Sequence, residues 1–135
     1  MQIELGALDY KLLKLLQHNA DLTTAELADA VGLSQSPCWR RICRLEQNGV
    51  IRKKVALLDN EKLGMGVVIF TSINLSSHHG KTLKDFEIQV REFPEVLECY
   101  TMTGSMDYML KIVTRDIHHY EIFVRKHLAL IPNIR

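Results

Sequence analysis

Leu5, Leu8, Leu12, Leu15 and Leu16 recur at helical spacing, with Lys11, Lys14 and Gln17 between them. That pattern predicts an amphipathic helix. It opens near Asp9, a capping candidate, or slightly earlier, and ends near Asn19. Thr23 and Glu26 have the spacing of a capping box for a second helix, whose apolar face is Leu27, Ala28 and Val31. Gly32 stops that helix, because glycine takes the left-handed conformation without a steric penalty. Ser34 caps a third helix, with Pro37 in its first turn, where no amide donor is needed. This helix runs to about Gln47 and ends at Asn48-Gly49. At about 100° per residue, Cys38, Ile42 and Leu45 form its buried stripe. Ser36, Arg40, Cys43, Arg44 and Gln47 lie on the far side, Trp39 at one flank as a partly buried packing residue, and Arg41 at the other edge. Val50-Ile51 and Val55 to Leu58 read as short extended segments around Arg52-Lys53-Lys54. Residues 59–66 read as a linker with Gly64 and Gly66 as flexible points.

Beyond the linker the period changes. Val67 to Leu75 is β-branched and aromatic, a strand. His78-His79-Gly80 is a turn, and residues 81–93 form a helix with Leu83, Phe86, Val90 and Phe93 on one face. Strands over 96–103 and 108–113 flank the turn Gly104-Ser105-Met106-Asp107, making a hairpin. A last helix follows Thr114-Arg115-Asp116, with Ile117, Tyr120, Phe123, Val124 and Leu128 inward, and stops before Pro132. The order β-α-β-β-α lacks only a final strand of the ferredoxin-like motif. The expected architecture is α+β: a three-helix helix-turn-helix domain over 1–58, a linker over 59–66, and a ferredoxin-like βαββα domain over 67–135, without its last strand.

Composition narrows the function classes. The chain has 135 residues, 47% hydrophobic and 24% charged, as expected of globular domains. No apolar run exceeds the four residues of Val67–Phe70, far short of a membrane span, and no secretory signal is visible. Cys38, Cys43 and Cys99 form no Cys-x-x-Cys pair, which points to reduced thiols and a cytoplasmic location. The net charge of +1 hides an asymmetry: residues 34–55 carry Arg40, Arg41, Arg44, Arg52, Lys53 and Lys54 against Glu46 alone. An anionic partner senses that local field, not the average. A helix that buries one stripe and offers arginines and glutamine on the other fits the major groove. Arg52, Lys53 and Lys54, just beyond it, suit phosphates. The acidic first helix would face away from DNA.

The segments Leu8-Asp9 to Leu16-Gln17, Ala25-Glu26-Leu27-Ala28, Val31-Gly32-Leu33-Ser34, Ser36 to Ile42, Arg44-Leu45-Glu46 and Gly49-Val50-Ile51 resemble the DNA-binding half of the Lrp/AsnC transcription regulators. The C-terminal half resembles that family's effector-binding domain, and Thr103 to Tyr108 fits its Gly-x-x-Asp element. The resemblance covers essentially the whole chain. It implies a feast/famine-type regulator that binds double-stranded DNA and pairs its C-terminal sheets into homodimers. It further implies that dimers assemble, often into octamers of four dimers, and that an amino acid bound between dimers alters DNA binding. Leucine, methionine and other amino acids all stay open as effector. Two departures from the pattern are visible: Pro132-Asn133-Ile134 stands where the family has Pro-Gly-Val, and the final strand is missing, as in a truncated chain. Asn tolerates the left-handed conformation that the turn needs.

The candidate DNA contacts are Ser34, Gln35, Ser36, Trp39, Arg40, Arg44, Arg52, Lys53 and Lys54. The resemblance makes Gly104 and Asp107 shape the effector site, with Thr103 and Ser105 as neighbours. A glycine turn exposes amides to a carboxylate, and Asp107 suits an α-ammonium. The plainer reading is that Gly104 makes the hairpin turn and Asp107 caps it. His78-His79 and His118-His119 invite a metal, but adjacent side chains point apart and no cysteine or carboxylate spacing supports zinc, so no metal or other cofactor is expected. No phosphate-binding loop, dinucleotide fingerprint or nucleophile elbow is present, so catalysis is not expected. The alternatives are an enzyme resembling the siroheme decarboxylases and a stand-alone amino-acid sensor without DNA contact.

Overall fold

The computed structural model describes residues 2–135. The chain divides into two compact units, one ending at Leu57 and the other running from Leu58 to Arg135. The first unit holds α1 (Ala7–His18), α2 (Thr24–Val31) and α3 (Gln35–Gln47). Its core joins Leu12, Leu27, Ala28, Cys38 and Ile42, with Leu15, Leu16, Leu22, Val31 and Leu33 packed around them. Leu45 is also fully buried. The capping box of α2 forms in both directions, Glu26 N donating to Thr23 Oγ1 and Thr23 N to Glu26 Oε2, each at 3.1 Å. Gly32 closes α2 at φ 72°, a left-handed geometry that a side chain would strain.

Asp9 takes part in capping α1, which opens slightly earlier, at Ala7. It lies within the first turn of α1, where its Oδ2 accepts from Gly6 N at 2.9 Å. It is 1% exposed and faces α3, not solvent. Its Oδ1 accepts from Arg41 Nη1 at 3.2 Å, and Arg44 Nη1 stands 3.6 Å from Oδ2. A carboxylate withdrawn from water needs such partners, since a buried unpaired charge is very costly.

Residues 52–59 form neither strand nor helix, so the extended segments after α3 build no ladder. Their direction is set by Val50 N and Ile51 N, which both donate to Leu45 O, at 3.0 and 3.1 Å. Residues 60–64, within the segment read as a linker, form a tight turn. Met65 N donates to Asn60 O at 2.8 Å, Lys62 N to Asp59 Oδ1 at 3.0 Å, and Gly64 takes φ 73°.

The second unit holds β1 (Val67–Ile73), α4 (Gly80–Arg91), β2 (Val96–Thr101), β3 (Tyr108–Thr114), α5 (Ile117–Lys126) and a short 3-10 turn over Leu128–Leu130. The strands form one antiparallel sheet in the order β1-β3-β2. One face, with Ile73, Tyr108, Leu110 and Ile112, packs on Phe86 and Val90 of α4 and Phe123 of α5. Burial, reinforced by the hydrogen bond to Glu87 Oε1 at 2.9 Å, pushes the Tyr108 hydroxyl up to about 12. Asp116 caps α5, accepting from His119 N at 2.8 Å. Ile117, expected inward, is 57% exposed, because it is the first residue of α5 and precedes the turn that meets the sheet.

Near the end of the chain Ile134 pairs antiparallel with Leu75, two residues past β1, as an isolated bridge outside the three-stranded sheet. Ser76 N donates to Asn133 O at 2.8 Å and Arg135 N to Asn74 O at 2.9 Å. Asn133 takes φ 69°, the left-handed turn that asparagine tolerates. No helix among the described residues is long and apolar enough to cross a membrane.

Burial raises the Asp9 pKa, but the Gly6 amide, the Arg41 hydrogen bond and the charges of Arg41 and Arg44 outweigh it and hold the carboxyl below its ordinary 3.8. Its contribution to stability is therefore complete above that value and drains away as pH falls through the lower, folded value. Asp9→Asn should destabilise the first unit by about 2 kcal/mol at neutral pH and flatten the acid limb of its stability profile. Urea titrations across the acid range check this; parallel profiles for variant and wild type would refute it.

Candidate nucleic-acid interface and effector loop

The third helix sorts its arginines by position on the wheel. Burial of Cys38, Ile42 and Leu45 leaves Ser34, Gln35, Ser36, Trp39 and Arg40 exposed. Ser34 is the residue before α3 at φ −73° and ψ 163°, and its side chain makes no capping hydrogen bond. Its hydroxyl and the first free amides of α3 thus stand together at a helix N-terminus, where the dipole favours an anion. Trp39, read as a packing residue, is 58% exposed. The reason is geometric: the core stripe is narrow, and Leu12, Leu27 and Ala28 already fill the space opposite it.

Arg44 also departs from the outward reading that grouped it with Arg40. Its Nη2 donates to the carbonyl oxygen of Glu4 at 2.8 Å, and its Nη1 lies beside Asp9. It sits about 40° around the helix from Arg40, enough to turn it toward α1. Arg40 has no such tether among the described contacts. Arg52, Lys53 and Lys54 are exposed; Lys54 Nζ lies 3.8 Å from Glu46 Oε1. A shallow groove of about 850 Å³ runs between α1 and residues 50–57, lined by Leu13, Lys14, Gln17, Ile51 and Val55, and takes in none of the residues expected to bind an effector.

In the second unit, the candidate effector residues share the loop between β2 and β3. Gly104 takes φ 101° with open space where a Cβ would stand, so its backbone conformation, not crowding, requires glycine. Thr103 and Ser105 are exposed on either side. Asp107 is a junction. Its backbone amide donates to Ile73 O at 3.0 Å and its carbonyl accepts from Met102 N at 2.9 Å. Its Oδ2 accepts from Leu75 N at 2.7 Å, and its Oδ1 lies 2.9 Å from His78 Nε2. The Leu75 amide, whose effect exceeds the opposing one of burial, holds its carboxyl below the ordinary value of 3.8, and His78 adds to it. The carboxylate is therefore a fixed anion at neutral pH. His78 was not among the candidates, because its partner lies 29 residues away and no local spacing links them.

Comparison with known proteins agrees with both halves. Residues 5–52 match a winged helix-turn-helix DNA-binding family, and residues 68–135 match the Lrp/AsnC ligand binding domain. The glutamate uptake regulatory protein of Zymomonas mobilis is 43% identical over 95% of this chain and 78% of its own length. The DNA-binding transcriptional activator DecR of Escherichia coli is 38% identical over 96% of this chain and 86% of its own. Among solved structures, an AsnC family transcriptional regulator from Agrobacterium tumefaciens superposes with a TM-score of 0.91 at 47% identity, covering 97% of this chain and 85% of that one. A transcriptional regulator from Neisseria meningitidis in complex with L-methionine superposes with a TM-score of 0.92 at 36% identity, covering 98% and 85%.

Removing the Asp107 carboxylate should unfasten the loop after β1. In Asp107→Ala, amide exchange at Leu75 should accelerate by roughly tenfold or more relative to β3 amides, since local opening no longer breaks that hydrogen bond. Residue-resolved hydrogen exchange checks this; unchanged protection at Leu75 would remove Asp107 as the fastening group.

Proposed function

The chain belongs to the Lrp/AsnC family of DNA-binding transcriptional regulators, and from that premise we propose that α3 enters the major groove of a pseudo-palindromic operator while the second unit pairs two copies and takes up an amino acid. The observation that carries this reading is the exposed row of Ser36, Trp39 and Arg40 on α3, opposite its buried stripe and followed by Arg52, Lys53 and Lys54. Arg40 is the base reader, since a guanidinium grips guanine through two hydrogen bonds. Trp39 borders it as an apolar contact. Ser34, Gln35 and Ser36 bind phosphate at the start of α3, and Arg52 and Lys53 bind it beyond the end. Lys54 shares its charge with Glu46. Arg44 orients α3 through Glu4 and Asp9 and supports Arg40 without reading a base itself.

Gly104 turns the loop so that its amides face a carboxylate, Asp107 receives the α-ammonium, and Thr103 and Ser105 supply hydroxyls. An amino acid, the class held by the Neisseria regulator, is the effector. It acts by binding one assembly better than another, since differential affinity alone shifts such an equilibrium. Two copies pair through the sheet face that α4 and α5 leave open, and dimers assemble further, to four. The setting is the cytoplasm, and the role is not catalytic. A tetrapyrrole enzyme is not adopted, because Arg40 stands in solvent, outside the groove between α1 and residues 50–57.

Fluorescence anisotropy on a selected operator tests the DNA half. Arg40→Ala should weaken cognate binding by about 1–3 kcal/mol and relax specificity at one base pair. Lys53→Ala should weaken all sequences alike and lower the salt slope by about one. Unchanged affinity and slope would overturn these roles. A thermal-shift screen of the twenty amino acids tests the sensor half: one class should raise the melting temperature, and Asp107→Asn should abolish that response while the fold persists. A response retained in Asp107→Asn would remove it from the site.

A further inference from the structure

The sheet face turned away from α4 and α5 is mostly apolar: Val68, Phe70 and Leu97 are 42%, 59% and 53% exposed. One row across its middle is not. Register places Phe70 opposite Lys111 on β3, and Lys111 opposite Glu98 on β2. Lys111 Nζ lies 3.3 Å from Glu98 Oε1, and the Tyr100 hydroxyl donates to Glu98 Oε2. Lys111 and Glu98 keep 30% and 41% of their side-chain surface. Nothing in the first unit's reading or in the effector loop uses these three residues.

We propose that the Lys111–Glu98 pair, with Tyr100 of the adjoining row donating to Glu98, is the element by which this sheet face selects an identical copy of the chain as its partner. The inference rests on the reading that two copies pair through this face, and adds what decides which copy is accepted. The row has no net charge, so it calls for no oppositely charged partner. Glu98 satisfies one of the three ammonium protons of Lys111; the others now face water. Covering the face removes that water, and a purely apolar partner surface would leave those protons and the free lone pairs of Glu98 stranded. A second copy related by a two-fold axis parallel to the strands brings an equivalent row in the opposite sense, so that lysine meets glutamate in both directions. A sheet carrying apolar or like-charged side chains at these positions is rejected, as one buried polar position is known to fix partner and register elsewhere.

Charge reversal on the full chain tests this, with sedimentation equilibrium measuring dimer dissociation and circular dichroism melts confirming that each variant folds. Lys111→Glu and Glu98→Lys should each weaken self-association by roughly tenfold or more, because like charges then crowd one row. The double variant E98K/K111E should recover the wild-type value within about threefold. Mixing the two single variants should give a mixed dimer in preference to either parent, because one row is then wholly acidic and the other wholly basic. Single variants that self-associate as tightly as wild type, or a mixture that shows no preference for the mixed dimer, would overturn the proposal while leaving sheet pairing intact. A wild-type chain that stays monomeric would instead overturn sheet pairing itself, and this inference with it.

Discussion

Everything in the first unit is arranged around one ionised carboxyl kept out of water. Asp9 is 1% exposed and is satisfied only because α1 brings it under α3, where Arg41 and Arg44 converge on it. Two positive charges and a backbone amide replace the lost hydration. The tie also joins α1 to α3 beside their shared apolar core. It divides the arginines of α3 into those spent inward, Arg41 and Arg44, and the one left facing out, Arg40. Residues of one type, spaced within a turn of each other, thereby acquire different tasks.

The second unit is held by a similar device in a wetter setting. Asp107 stands just before β3 and reaches across to the residues after β1, so the loop between β2 and β3 and the loop before α4 are fastened at one point. Its side chain is thus already occupied when no ligand is bound. Both readings of Asp107, hairpin cap and ligand anchor, rest on the same atoms: Oδ2 is committed to the Leu75 amide, while Oδ1 is shared with an exposed imidazole that a ligand can displace. A cap that holds one oxygen and leaves the other exchangeable is compatible with sensing.

The helices, the turn between α2 and α3, the buried stripe of α3 and the βαββα order were legible in the sequence because each has a short period or a local stop signal. Thr23 with Glu26 and Gly32 act over three or four residues, and Cys38, Ile42 and Leu45 within two turns. What escaped was long-range and polar. Asp9 and Arg41 lie 32 residues apart, and Asp107 and Leu75 likewise. A charge seen in sequence reads as solvated unless its partner is known, so nothing local marked Asp9 as buried or Arg44 as a partner of Glu4 and Asp9. The bridge between Leu75 and Ile134 was missed for another reason: two residues carry no alternation from which a strand could be read. Trp39 was misplaced because a large aromatic side chain suggests burial even where a small core has no room for it.

That last residue has a use in the laboratory that follows from its position. The chain contains one tryptophan, and it stands on the outer flank of α3. Its fluorescence therefore belongs to that helix alone: polarity and quenching around the indole report on what approaches this surface, while the sheet, the effector loop and the open face contribute only tyrosine light.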